Sequence, residues 1–159
     1  MKPRVYIETS ILSYLTARPS RDLVQAAHQQ ITIEWWTRRD RFELVVSEAV
    51  LAEASRGDPA AAARRIAAAE GLPALSATIE AQTVARRLLE AAAMPRKAAI
   101  DAAHVAIAAV HDINFLLTWN CTHLANAVMR DHIEAVCRQS GFRPPIICTP
   151  EQLALEEET

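Results

Sequence analysis

Glu8, Glu53 and Asp101 stand where a carboxylate is hard to explain. Glu8 follows the apolar run Val5-Tyr6-Ile7, Glu53 comes late in a short helical stretch, and Asp101 is embedded in KAAIDAAHVAIAAV (residues 97–110). Each has an ordinary reading. Glu8 can favour the dipole of the helix that follows it, and Asp101 can pair with Lys97 one turn back. Against this, a carboxylate set among Ala, Ile and Val is expensive to bury without a partner. Glu48 and Glu53 are separated by about 140° of helix rotation, so they cannot both face one site. Glu48 falls in the first turn, where the dipole alone accounts for it; Glu53 gains nothing there and is the better site candidate.

Carboxylates that converge repel one another unless a cation neutralises them. A hard, all-oxygen set favours Mg²⁺ or Mn²⁺. Thr9 and Ser10, directly after Glu8, carry hydroxyls that can orient the acids. Asn120 ends the stretch Leu116-Leu117-Thr118-Trp119-Asn120. It is either a turn residue or a neutral carbonyl donor to a metal or its water. Zinc is disfavoured, because Cys121-x-His123 with His104 lacks paired ligand spacing. His123 comes three residues after Asn120, near enough to approach the site, and a capping or core role is the more ordinary reading. Trp35-Trp36 can stack on bases or fill a helix stripe. The chain holds Gly 3, too few for a phosphate-cradling loop, and no G-x-S-x-G elbow occurs.

These residues need a scaffold. Short apolar runs at Val5–Ile7, Phe42–Val46, Ala74–Leu75, Asn114–Thr118 and Pro145–Cys148 read as strands, with helical stretches between them. Ser20 is placed to cap a helix carrying Leu23, Ala27, Ile31 and Trp35. Ser47 opens a helix that ends at Gly57, Asp58-Pro59 starts the next, and Thr78 starts another that runs out before Pro95. Residues 96–111 put Ile100, Ala103, Ile107 and Val110 on one face. A last helix carries Val128, Ile133 and Val136 and stops at Gly141. Strands alternating with helices mean a parallel α/β sheet covered on both faces. Glu8 and Asn120 then stand at the carboxyl ends of strands, where such sheets form sites.

With 159 residues, 51% hydrophobic and 23% charged, the chain reads as one domain over residues 1–150 with an acidic tail over 151–159. No apolar run reaches membrane-span length, and Glu8 interrupts the only candidate leader. Cys121, Cys137 and Cys148 are few and odd in number, which fits reduced thiols and a cytoplasmic setting. A formal charge of −2 gives no global basic field. The arginine pairs 38–39, 64–65 and 86–87 are solvated helix faces or local basic patches.

Taken in order, the motifs resemble the PIN-domain family, ribonucleases of the VapC toxin type, over essentially the whole chain. The matching elements are Glu8-Thr9-Ser10, Glu53-Ala-Ser-Arg-Gly57, Asp101 in DAAHVAIAA, and Leu116-Leu117-Thr118-Trp119-Asn120. Two positions depart: Glu8 stands where the family carries the shorter Asp, and Asn120 where it carries Asp. The resemblance implies a three-layer α/β/α sandwich with a five-stranded parallel sheet. It implies metal-dependent hydrolysis of RNA by Glu8, Glu53, Asp101 and Asn120 as catalytic and metal-binding residues. It also implies a cognate antitoxin partner and a homodimer. The alternatives are a catalytically weakened PIN-fold module that binds RNA or a protein, and an unrelated Mg²⁺-dependent phosphohydrolase.

Overall fold

The computed structural model describes residues 1–91 and 93–154. The acidic residues Glu156–Glu158 expected to form a tail lie outside the described residues. The strands are β1 (Arg4–Ile7), β2 (Glu43–Ser47), β3 (Ala74–Leu75), β4 (Phe115–Leu117) and β5 (Ile146–Cys148). They form one sheet in the order β3-β2-β1-β4-β5, every neighbouring pair parallel. β1 is central: Val5 registers with Leu44 on one side and with Phe115 on the other. Val5, Tyr6 and Ile7 are fully buried, as strands covered on both faces must be.

The helices are α1 (Thr9–Thr16), α2 (Leu23–Thr37), α3 (Glu48–Ala54), α4 (Pro59–Ala69), α5 (Ile79–Glu90), α6 (Ala99–Val110) and α7 (Ala127–Gln139). α1 packs on α2, α3 and α4, while α5 packs on α6 and α7. The chain is a three-layer α/β/α sandwich with a five-stranded parallel sheet, as the motif order implies. None of the described helices is long and apolar enough to cross a membrane.

The local signals explain most helix starts. Ser47 caps α3 by accepting from Val50 N–H, Asp58 caps α4 with Pro59 in its first turn, and Thr78 caps α5. Gly57, Gly71 and Gly141 follow helix ends with φ near +85°, the left-handed region that a side chain strains. α2 is different. Its cap is Asp22, whose side chain accepts from Gln25 N–H, and not Ser20. The Ser20 hydroxyl is engaged elsewhere, accepting from Asp22 N–H and donating to Gln25 Oε1. Leu23 is consequently exposed, while Trp35 of the same stripe is buried and donates from Nε1 to Leu153 O. On α6 Ile107 is buried but Ile100 is exposed; the continuous buried run is His104–Ala109. On α7 Ile133 and Val136 are buried and Val128 is exposed. Periodicity alone did not isolate α1, because its eight residues follow β1 after only Glu8.

Candidate active site

The sheet order reverses direction between β1 and β4, and in open parallel sheets this is where the strands' carboxyl ends leave a crevice. Glu8 ends β1, and Thr118-Trp119-Asn120 follow β4. α3 brings Glu53 and α6 brings Asp101 to the same edge. All four residues line a single cleft of about 370 Å³, together with Thr9, Ser10, Ser13 and Arg65. The structure therefore brings together every site residue read from the sequence.

Glu8 is buried and caps α1. Its Oε2 accepts from Ser10 N–H at 2.7 Å, and its Oε1 accepts from the Ser10 hydroxyl at 2.6 Å and from the Thr118 hydroxyl. The Ser10 hydroxyl oxygen in turn accepts from Trp119 N–H at 2.9 Å, tying α1 to the end of β4. The carboxylate folds back onto the start of its own helix. Its ordinary reading and its site reading thus coexist in one side chain.

Glu53 Oε1 accepts from the Thr9 hydroxyl and from His104 Nε2 at 3.1 Å. Burial pushes its carboxyl up, but the hydrogen bonds from His104 and Thr9, with the Arg56 charge, hold it below the ordinary carboxylate range. The expectation that Thr9 and Ser10 orient the acids is met by these contacts, Thr9 on Glu53 and Ser10 on Glu8.

Asp101 Oδ2 pairs with His123 Nδ1 at 3.1 Å. Its partner is therefore a histidine of the β4–α7 loop, and Lys97 is exposed. Asn120 Oδ1 accepts from His123 N–H at 3.1 Å, so Asn120 also acts as a turn residue that fixes the same histidine. Glu48 accepts from Ala77 N–H and does not line the cleft. Trp35 and Trp36 pack with the core.

Behind the acids runs a buried chain that sequence reading did not assign. Ser47 Oγ accepts from Val50 N–H at 3.1 Å and lies 2.5 Å from the Tyr6 hydroxyl. The Tyr6 hydroxyl lies 2.6 Å from His104 Nδ1, and His104 Nε2 faces Glu53. One proton per link satisfies it: Ser47 donates to Tyr6, Tyr6 to Nδ1, and Nε2–H to the carboxylate. Burial pushes the Tyr6 phenol far above its ordinary value; the Ser47 bond opposes this and the Glu8 and Glu53 charges add to it. His104 is fully buried and has both nitrogens engaged. Its one sequence signal is its place three residues after Asp101, on the next turn of the same helix.

Single ligand atoms of Glu8, Glu53 and His104 lie within 4.8 Å of one another. His104 Nε2 faces Glu53 as a donor, which makes it an orienting group for that acid. The oxygen donors retain capacity. Glu53 Oε2 and Asp101 Oδ1 make no hydrogen bond among the described residues, and Glu8 spends three of its roughly four lone-pair directions. A set of carboxylate oxygens with spare lone pairs on one cleft wall fits a hard divalent cation. Cys121 is exposed and free. The chain matches no family model, and no curated protein matches it.

Proposed function

We propose that the chain is a metal-dependent endoribonuclease that hydrolyses RNA phosphodiester bonds, the toxin of a toxin–antitoxin pair. The observation that carries this reading is the convergence of Glu8, Glu53, Asp101 and Asn120, from four separate segments, on one cleft at the switch point of a parallel sheet. The order and placement of these residues also resemble the PIN-domain pattern. Glu8, Glu53 and Asp101, with Asn120 as a neutral donor, would hold Mg²⁺ or Mn²⁺. When bound, such an ion polarises a water and offsets phosphate charge.

The chain's own residues do the rest. Thr9 and His104 fix the Glu53 carboxylate through one oxygen and leave the other for the cleft. Ser10 and Thr118 fix Glu8 through both of its oxygens. His123 holds Asp101 and is itself held by Asn120. Groups locked in this way cost no reorganisation when charge develops on the substrate. Arg65 also lines the cleft; its Nε and Nη2 brace the carbonyls of Ala54 and Arg56 at the end of α3.

The deciding experiment is cleavage of a mixed RNA pool with added Mg²⁺ or Mn²⁺ and its loss in EDTA, beside calorimetric titration of either ion into the protein. Cleavage that persists in EDTA would refute the reading. Metal-independent RNA binding with no cleavage would favour a second one, a weakened binding module. That alternative draws on the heavy hydrogen bonding of Glu8 and the neutral amide at position 120. In the toxin reading the partners are RNA, a cognate antitoxin protein and a second copy of the chain, in the cytoplasm.

A further inference from the structure

Ser13 lines two hollows. One is the acid cleft; the other is a groove of about 440 Å³ that also takes in Tyr14, Arg18, Ser20, Gln25 and Gln29. Ser10, Ser13 and Ala17 fall on one stripe of α1 and its cap, spanning roughly 10 Å along the axis. The groove is thus the continuation of the cleft along α1.

Its walls are rigid. Gln29 is buried, its Nε2 donating to Arg18 O at 2.9 Å and its Oε1 accepting from Ser20 N–H at 2.9 Å. Residues 18–20 are thereby clasped onto α2. The partly buried Tyr14 ring stands edge-on to His28 and to Trp119, and His28 stacks on Trp119 with centroids 4.0 Å apart. Trp119 is bonded to Ser10 in the cleft, so the aromatic wall and the acids share one support. The groove also offers unspent donors. The Arg18 guanidinium is exposed and makes no hydrogen bond or ion pair among the described residues, and the Gln25 amide nitrogen makes none either.

An aromatic ring, a free guanidinium and a free amide around a fixed floor match the face, phosphate and edge of one nucleotide. We propose that this groove is a nucleotide subsite, holding the unit of a single-stranded RNA next to the phosphate over the acids. The proposal rests on the ribonuclease reading of the cleft. It requires an unstacked base, so a duplex does not fit.

The test is fluorescence anisotropy of a short unstructured RNA in EDTA, where neither metal nor cleavage contributes. Arg18→Glu and Tyr14→Ala should each raise Kd about fivefold or more. Arg86→Glu, the same charge change on exposed α5, should leave Kd unchanged. Arg18 is exposed, so its variant stays informative if Tyr14→Ala does not fold. Equal Kd for Arg18→Glu and the parent would overturn the subsite, as would equally tight binding of the matching duplex or equal displacement by polyglutamate. No binding by the parent overturns it too. If the parent cleaves RNA and Arg18→Glu is unaffected, the subsite falls and the nuclease stands. If Arg18→Glu weakens binding but the parent cleaves nothing with Mg²⁺ or Mn²⁺, the subsite stands and the nuclease falls.

Discussion

Tyr6 and His104 meet edge to face inside the core, with 5.7 Å between ring centroids and 2.6 Å between the hydroxyl and Nδ1. This contact joins the central strand to α6 and sets the histidine that holds Glu53. Tyr6→Phe keeps the ring and removes the hydroxyl. His104 Nδ1 and Ser47 Oγ each then lose a buried partner, at a cost of about 1–3 kcal/mol in stability. Removing an outer supporting group also lowers metal affinity or activity by roughly tenfold or more. Denaturant melts and calorimetric Mn²⁺ titration of the variant would check both; unchanged values on both would dismiss the relay.

Asp101→Asn should abolish metal-dependent cleavage, while Asn120→Asp should preserve or improve it. The first removes one of the anionic donors on the cleft; the second restores a charge where only an amide stands. Carboxylates hold hard cations better than amides do. Both changes are nearly isosteric, so circular dichroism should match the parent. Cleavage rates against Mg²⁺ concentration decide it, and a folded Asp101→Asn that cuts like the parent would remove Asp101 from the site.

Glu53 gives the acid limb of the stability curve a specific shape. Its carboxyl is held below the ordinary value of 4.5, despite burial, chiefly by His104 and Thr9. A depressed folded value means stability that is present above the ordinary carboxylate range and lost as pH falls through the folded value. The gap in melting temperature between the parent and Glu53→Gln should therefore narrow as pH drops below about 4.5. A gap constant across that range would contradict the assignment.

Thiol chemistry should single out Cys121. Burial pushes the Cys137 thiol up to about 11 and the Cys148 thiol up to about 12, whereas Cys121 is exposed beside Asn120. Thiolates react and thiols do not. At mildly alkaline pH, peptide mass mapping should find iodoacetamide on Cys121 within minutes and on the other two only after unfolding. Early label on Cys148 would show that β5 opens.

Self-association should run through the alanine-rich helices. Ile66 on α4 and Ile79 on α5 are exposed, 37% and 79%, and α4 surrounds its isoleucine with alanines that permit close approach. Sedimentation velocity should show a dimer, and Ile79→Glu should weaken it if that face is used. Monomer at every concentration would refute the homodimer.

The strands and most caps were legible because each rests on local chemistry: β-branched runs, Ser47, Asp58-Pro59 and Thr78. Glu8, Glu53, Asp101 and Asn120 were legible as a set because topology alone carries strand ends to one edge. What escaped was set by contacts distant in sequence. His104 looks like any core histidine until Tyr6 and Glu53 are seen on its two nitrogens. Asp101's partner lies 22 residues away in a loop, where spacing suggested Lys97. The cap of α2 went to Asp22 because Ser20 is consumed by Gln25 and Asp22, a competition that composition does not reveal.

The central place of β1 bears on how the protein is born. β1 leaves the ribosome before β2 to β5, yet one of its two neighbours is β4, whose residues 115–117 follow long after it. Glu8 N–H bonds to Leu117 O, and its carboxylate is gripped by Thr118. Until β4 is made, a nascent chain therefore carries Glu8 and Glu53 without the strand that shuts the cleft. Long-range parallel pairing of this kind is slow to form. Any chain halted before residue 118 lacks the assembled site, so whatever the cleft does begins only after β4 has been made.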